Sequence, residues 1–176
     1  MNFEDLPIEG AVVIAPEAVD DERGAFARVF DAEEFRARGL DTRVAQCSIS
    51  TNRRRGTLRG LHYQAAPHGE CKLIRCEQGS IFDVLVDLRP DSATYRHWAG
   101  VELAAADHRL VYAPEGVAHG FVTLADDSAV YYQISVPYEP SSARGVRWDD
   151  PRFGIEWPEP VRVISDRDAG FPDFEG

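Results

Sequence analysis

SIFDVLVDL, residues 80–88, has the pattern of a β-strand with two unlike faces. Side chains alternate across a strand, so Phe82, Val84, Val86 and Leu88 form one apolar face. Asp83 and Asp87 lie on the other, beside Ile81 and Leu85. Short runs of the same kind flank it: VAQCSIS, LRGLHYQ and CKLIRCEQ before it, then WAGVELA, RLVYAPEG, GFVTLA and AVYYQISV. Gly, Pro, Asp and Asn punctuate these runs at the intervals of an antiparallel sandwich or barrel. No helical patterns alternate with them, which disfavours a doubly wound α/β fold. One early helix is expected over EEFRAR, capped by Asp31 with Glu34 three residues on, and closed by Gly39. The tail after about Asp149 is rich in Pro and Trp and is expected to wrap the barrel as short turns or helices. The expectation is an all-β barrel with a few short helices.

The bulk composition limits what such a chain can do. Its 176 residues favour one domain spanning 1–176, with 44% apolar and 28% charged residues, as in an ordinary soluble protein. No run approaches the ~20 apolar residues that cross a bilayer, and the acidic start MNFEDLPIEG is no secretory leader, so a cytoplasmic protein is expected. Three cysteines without CxxC spacing (Cys47, Cys71, Cys76) point to reduced thiols rather than a disulfide framework. A net charge of −11 argues against a nucleic-acid or anionic-membrane partner, which needs a broad basic face. One anionic small ligand remains compatible, because Arg53, Arg54, Arg55 and Arg59 cluster; Arg53 to Arg55 also read as a solvated basic turn. Of 19 basic residues only Lys72 is lysine, a compact point charge that a guanidinium cannot replace.

Alternation groups the polar candidates. His62 and Gln64 share a face, as do Lys72, Ile74 and Cys76; Tyr132 goes with Val130, Ile134 and Val136, and Tyr131 with Gln133. Such groups suit a cavity lining, or a strand end that reaches solvent. Gly60-Leu-His62-Tyr-Gln64, with Glu70 and Gly79, resembles the first signature of the cupin jelly roll, and Pro114-Glu-Gly116-Val-Ala-His119 resembles the second. Metal-binding cupins carry a second histidine where this chain has Gln64, which leaves His62, His119 and Glu70 as an incomplete ligand set. No metal and no other cofactor is expected.

A wider pattern is more specific. RGTLRGLHYQ, CKLIRC, FDVLVDLRP, VELAAADHR, YAPEGVAHGFVTL and GIEWP closely resemble, in order, the dTDP-4-dehydrorhamnose 3,5-epimerase family, over about Asp21 to Asp168. The resemblance implies a jelly-roll barrel that forms homodimers and holds a nucleotide-sugar substrate inside the barrel. It implies His62 as the base, Asp168 as its carboxylate partner and Lys72 at the enolate oxygen. Tyr132 becomes the acid on the opposite ring face, with His119 near the enolate. Arg23 and Arg59 would grip the diphosphate, Gln46 and Tyr138 would sit near the nucleoside, and Phe26 and Arg167 complete the substrate contacts. Tyr131 and Asp166 remain alternatives to Tyr132 and Asp168. Asp83 is either a partner behind the reacting groups or a structural acceptor.

The chemistry asks for these residue types. Removing a proton next to a ketone needs a base with a pKa near the working pH, as in histidine. A buried carboxylate fixes the imidazole tautomer, and a fixed cation at the enolate oxygen contributes ~3–4 kcal/mol by analogy with other oxyanion sites. Arg28, Cys47-Ser48 and Gln133 depart from the common family residues, which opens the choice of base and sugar. The readings to separate are a 3,5-epimerase, a C3-only or C5-only epimerase, a ketoisomerase, a metal-dependent cupin oxygenase and a non-catalytic sugar-nucleotide binder.

Overall fold

The computed structural model describes all of residues 1–176. Its strands run in chain order as β1 (Asn2–Asp5), β2 (Val12–Ala15), β3 (Ala18–Asp21), β4 (Gly24–Ala27), β5 (Gln46–Asn52), β6 (Leu58–Gln64) and β7 (Lys72–Gln78). They continue as β8 (Ser80–Asp87), β9 (Trp98–Ala104), β10 (Leu110–Ala113), β11 (Val117–Thr123), β12 (Ser128–Ile134) and β13 (Ala143–Gly145). Helix α1 (Ala32–Ala37) precedes β5, and a single helical turn, α2 (Asp166–Ala169), lies near the end. The all-β reading with a few short helices therefore holds. No helix is long and apolar enough to cross a membrane.

Two antiparallel sheets carry the fold. One has six strands in the order β1-β2-β10-β7-β12-β5, the other five in the order β13-β6-β11-β8-β9. Between them lies a core of Val13, Ile74, Cys76, Ile81, Leu85, Leu103, Val111, Phe121 and Val130. The outer faces are covered as well. Phe35 and Leu40 bury Val12, Ile14, Leu73 and Leu110 under α1, and Val146 and Phe153 of the tail bury Leu61, Val84, Val86 and Leu88. Thus the wholly apolar face of SIFDVLVDL packs beneath the tail, and the face bearing Asp83 looks into the barrel. Helix α1 forms where its signals place it: the Asp31 carboxylate accepts from the backbone N–H groups of Glu33 and Glu34 at 3.0 and 3.3 Å, and Gly39 ends the helix at φ +76°.

One irregularity positions the site. His119 pairs with His62 and Phe121 with Arg59, so β6 holds one more residue than β11 between the two pairs. The extra residue is a bulge, and it resets the alternation so that Arg59 and His62, three apart, share a face. Glycine is required here: a Cβ on Gly60, at φ +120°, would lie 2.5 Å from the Gly120 Cα.

At the far end of β8, the Asp87 side chain is fully buried and accepts from the Arg89 guanidinium and the Ser92 and Thr94 hydroxyls. Burial works to raise its pKa, but these donors overcome it and hold the carboxyl far below the usual carboxylate range. A depressed carboxyl stabilises the fold above its unfolded pKa of ~4, and that contribution is lost as pH falls towards the folded value. Asp87→Asn should lower the unfolding free energy by ~1–3 kcal/mol at neutral pH. In urea titrations the gap between variant and wild type should shrink steadily below pH ~4. A gap independent of pH would show that the ionised carboxylate is not its source.

Candidate active site

The two histidines of the paired motifs stand side by side on one wall of the barrel, as the cross-strand pair His62–His119 of β6 and β11. Each is bonded to its own buried carboxylate. His62 Nε2 lies 2.7 Å from Asp168 Oδ1, and His119 Nε2 lies 2.6 Å from Asp83 Oδ1. The surroundings differ. His62 keeps 40% of its side chain exposed at the barrel mouth, whereas His119 and Asp83 are almost wholly enclosed at 4% and 0%. Asp83 Oδ2 has no hydrogen-bond partner.

Asp168 reaches β6 because α2 aims it there. Ser165 caps this turn by accepting from the Asp168 N–H at 3.1 Å, and the second carboxylate oxygen accepts the Gly60 N–H at 3.1 Å. Burial pushes the Asp168 carboxyl up, but the hydrogen bond and charge of His62 and the Gly60 donor leave it below the ordinary carboxylate range. An ionised carboxylate only accepts, so in the neutral imidazole of His62 the hydrogen sits on Nε2 and the lone pair on Nδ1.

The facing wall supplies the complementary groups. Tyr132 on β12 pairs across the sheet with Ile74, and Lys72 lies two residues from Ile74 on β7, so Lys72 and Tyr132 share the inner face. The Tyr132 ring meets His119 edge-to-face, centroids 5.8 Å apart. Its phenol is pushed well above the ordinary tyrosine range, first by burial around the hydroxyl and then by the Asp83 charge, against a smaller opposing pull from Arg59. Tyr131 points to the other face, beside Cys47. Lys72 is buried against Glu70, and its ammonium also reaches the His62 backbone oxygen at 3.4 Å.

Of the other expected contacts, Arg59 lies at the mouth, its Nε donating to Asn52 Oδ1 at 2.8 Å. Gln46 Oε1 accepts the Tyr138 N–H at 2.7 Å, which brings those two together at a neighbouring rim. Exposed Arg167 places its guanidinium 6.0 Å from the Phe171 ring. Arg23 and Phe26 are not brought to this cluster. They sit on the β3–β4 hairpin, which is hydrogen-bonded to neither large sheet; Arg23 binds its neighbour Asp21, and Phe26 is 75% exposed. Sequence reasoning missed Phe171, whose ring sits edge-to-face on His62 at 6.0 Å and fills the space over Gly145. Its signal was its place three residues past Asp168, one turn along.

The residues weighed as metal ligands have other partners. Glu70 is paired with Lys72, and Gln64 donates to the carbonyls of His68 and Pro137 and accepts the Glu139 N–H. No group of three or more His, Cys, Asp or Glu side chains is placed to hold a metal ion.

Comparison with known proteins agrees with this fold. Residues 5–176 match the family model described as dTDP-4-dehydrorhamnose 3,5-epimerase. The chain is 44% identical over 174 residues to the dTDP-4-dehydrorhamnose 3,5-epimerase of Methanothermobacter thermautotrophicus, covering 97% of this chain and 92% of that protein. The crystal structure of the Elizabethkingia anophelis enzyme of that name superposes with a TM-score of 0.95 at 34% identity, covering 99% of this chain and 97% of that one. The dTDP-6-deoxy-D-glucose-3,5-epimerase of Legionella pneumophila, solved in complex with dTDP-4-keto-L-rhamnose, superposes with a TM-score of 0.89 at 32% identity, covering 99% of both chains. Fold, site and kinship converge: the chain belongs to the dTDP-4-dehydrorhamnose 3,5-epimerase family.

Proposed function

We propose that the chain epimerises dTDP-4-dehydro-6-deoxy-D-glucose to dTDP-4-dehydro-L-rhamnose, by proton removal next to the C4 ketone and return to the opposite ring face. The observation that carries this reading is the pair of opposed walls: two carboxylate-bonded imidazoles on one, a protonated phenol and an ammonium on the other. Inversion of a carbon needs a base and an acid on opposite sides of the ring, and this arrangement provides them.

The roles follow from protonation and place. His62 Nδ1 is the base, and ionised Asp168 supports the imidazolium that forms. As the proton leaves, charge moves onto the C4 oxygen, where Lys72 stabilises it, with His119 nearby as a further donor oriented by Asp83. Tyr132 keeps its proton because its pKa is raised, so it serves as the donor to the far face. Arg59 takes the diphosphate, Gln46 and Tyr138 the nucleoside, and Arg167 the outer edge of the substrate.

We further read the protein as a cytoplasmic homodimer. Three unpaired thiols suit a reducing compartment. Val19 and Phe26, 70% and 75% exposed on one hairpin, make an apolar surface suited to a second copy, which Arg23 would then approach.

NMR in deuterated water with dTDP-4-keto-6-deoxyglucose tests the reaction. Deuterium should enter both C3 and C5, and His62→Ala should slow both by about 10²–10⁴-fold. Exchange at one carbon would indicate a single-centre epimerase, and exchange unaffected by His62→Ala would remove His62 as the base. The donor role has its own check. Tyr132→Phe should leave the alkaline absorbance titration unchanged up to about pH 11, whereas loss of a phenolate with the ordinary midpoint near 10 would contradict the raised pKa.

A further inference from the structure

We propose that Glu70 is a positioning residue for the enolate-stabilising cation, a role that rests on the reading of Lys72 given above. Glu70 and Lys72 retain only 8% and 9% of their side-chain surface and are bonded directly to each other. The same ammonium reaches the carbonyl oxygen of His62 at 3.4 Å. An ammonium carries three N–H donors. Two are thus taken by the protein, and the third is left to point at a substrate oxygen. The carboxylate, with the His62 backbone, sets the direction of that third donor and ties the cation to the strand that bears the base.

The pair can do this because the backbone on either side of Glu70 is anchored. Gln64 Nε2 donates to the His68 carbonyl at 3.1 Å just before it in the chain. Just after it, Cys71 and Ser135 exchange two bonds: the Cys71 N–H donates to Ser135 Oγ at 2.8 Å, and the Ser135 N–H to the Cys71 carbonyl at 3.1 Å. The carboxylate is therefore a counter-charge on an anchored backbone, set against a long, flexible lysine. Without it the ammonium would be a lone buried charge on four rotatable bonds, held by one long hydrogen bond. Its field would then no longer be fixed where charge develops, and fixed placement is what makes such a cation effective.

A merely structural ion pair would change stability and leave turnover alone. The test uses the full-length protein with dTDP-4-keto-6-deoxyglucose, measuring kcat and KM from C3 and C5 exchange and dTDP affinity by calorimetry. Glu70→Ala should lower kcat about tenfold or more, with KM and dTDP affinity within about threefold of wild type. Glu70→Gln, which keeps the acceptor oxygen without the charge, should recover part of that loss. In a Lys72→Met background, adding Glu70→Ala should cost nothing further, because Glu70 acts through Lys72. Should Glu70→Ala not fold, Glu70→Gln decides: reduced kcat with unchanged KM and dTDP affinity supports the role. Wild-type kcat in the Glu70 variants, or an equal added loss in the Lys72→Met background, overturns it. No exchange by the wild-type protein would instead sink the functional reading and this inference with it.

Discussion

The Asp168 carboxylate is the constraint on which the site depends. One oxygen bonds the His62 ring at 2.7 Å and the other accepts the Gly60 N–H at 3.1 Å. Gly60 lies at the bulge that puts His62 and Arg59 on one face. A single side chain from the last helical turn thus ties down both the His62 ring and the backbone distortion that aims it. Hydrogen bonds to a charged group contribute about 1.5–3 kcal/mol each, and removing one partner of a buried carboxylate costs more. The tail is therefore part of the structure that holds the His62 ring. Phe171, packed over Gly145 and against the His62 ring, extends the same anchoring one turn further.

A polar barrel interior is possible because apolar burial occurs on three levels. The central cluster packs between the sheets, while α1 and the tail each cover an outer face. His62, His119 and Lys72 are each paired with a carboxylate, whereas the second Asp83 oxygen has no partner, a cost of ~1–3 kcal/mol by comparison with other buried polar atoms. Such unsatisfied groups recur where function overrides stability. Each imidazole meets its own carboxylate and the single ammonium meets a third.

Much of this was legible in the sequence because alternation is a local property. It grouped Lys72 with Ile74 and Tyr132 with Val130, and the structure places these side chains on one inner face. The α1 boundaries followed from Asp31 and Gly39. Strict alternation fails where a three-dimensional contact breaks it. Counting through Arg59-Gly60-Leu61-His62 puts Arg59 and His62 on opposite faces, and only the Gly60–Gly120 approach corrects the count. Arg23 and Phe26 were assigned by motif alone, and motif carries no information on whether a hairpin docks on its own barrel. The Glu70–Lys72 and Phe171–His62 contacts arise from loop and tail geometry that no periodicity encodes.

A base and an acid on opposite walls would separate exchange from inversion. The most direct measurement follows both in Tyr132→Phe, recording solvent deuterium at C3 and C5 together with the configuration of the labelled sugar. The account predicts that deuterium still enters through His62 while inverted product falls by about 10²-fold or more. Inversion at the wild-type rate, or loss of exchange and inversion in equal measure with dTDP binding intact, would contradict it.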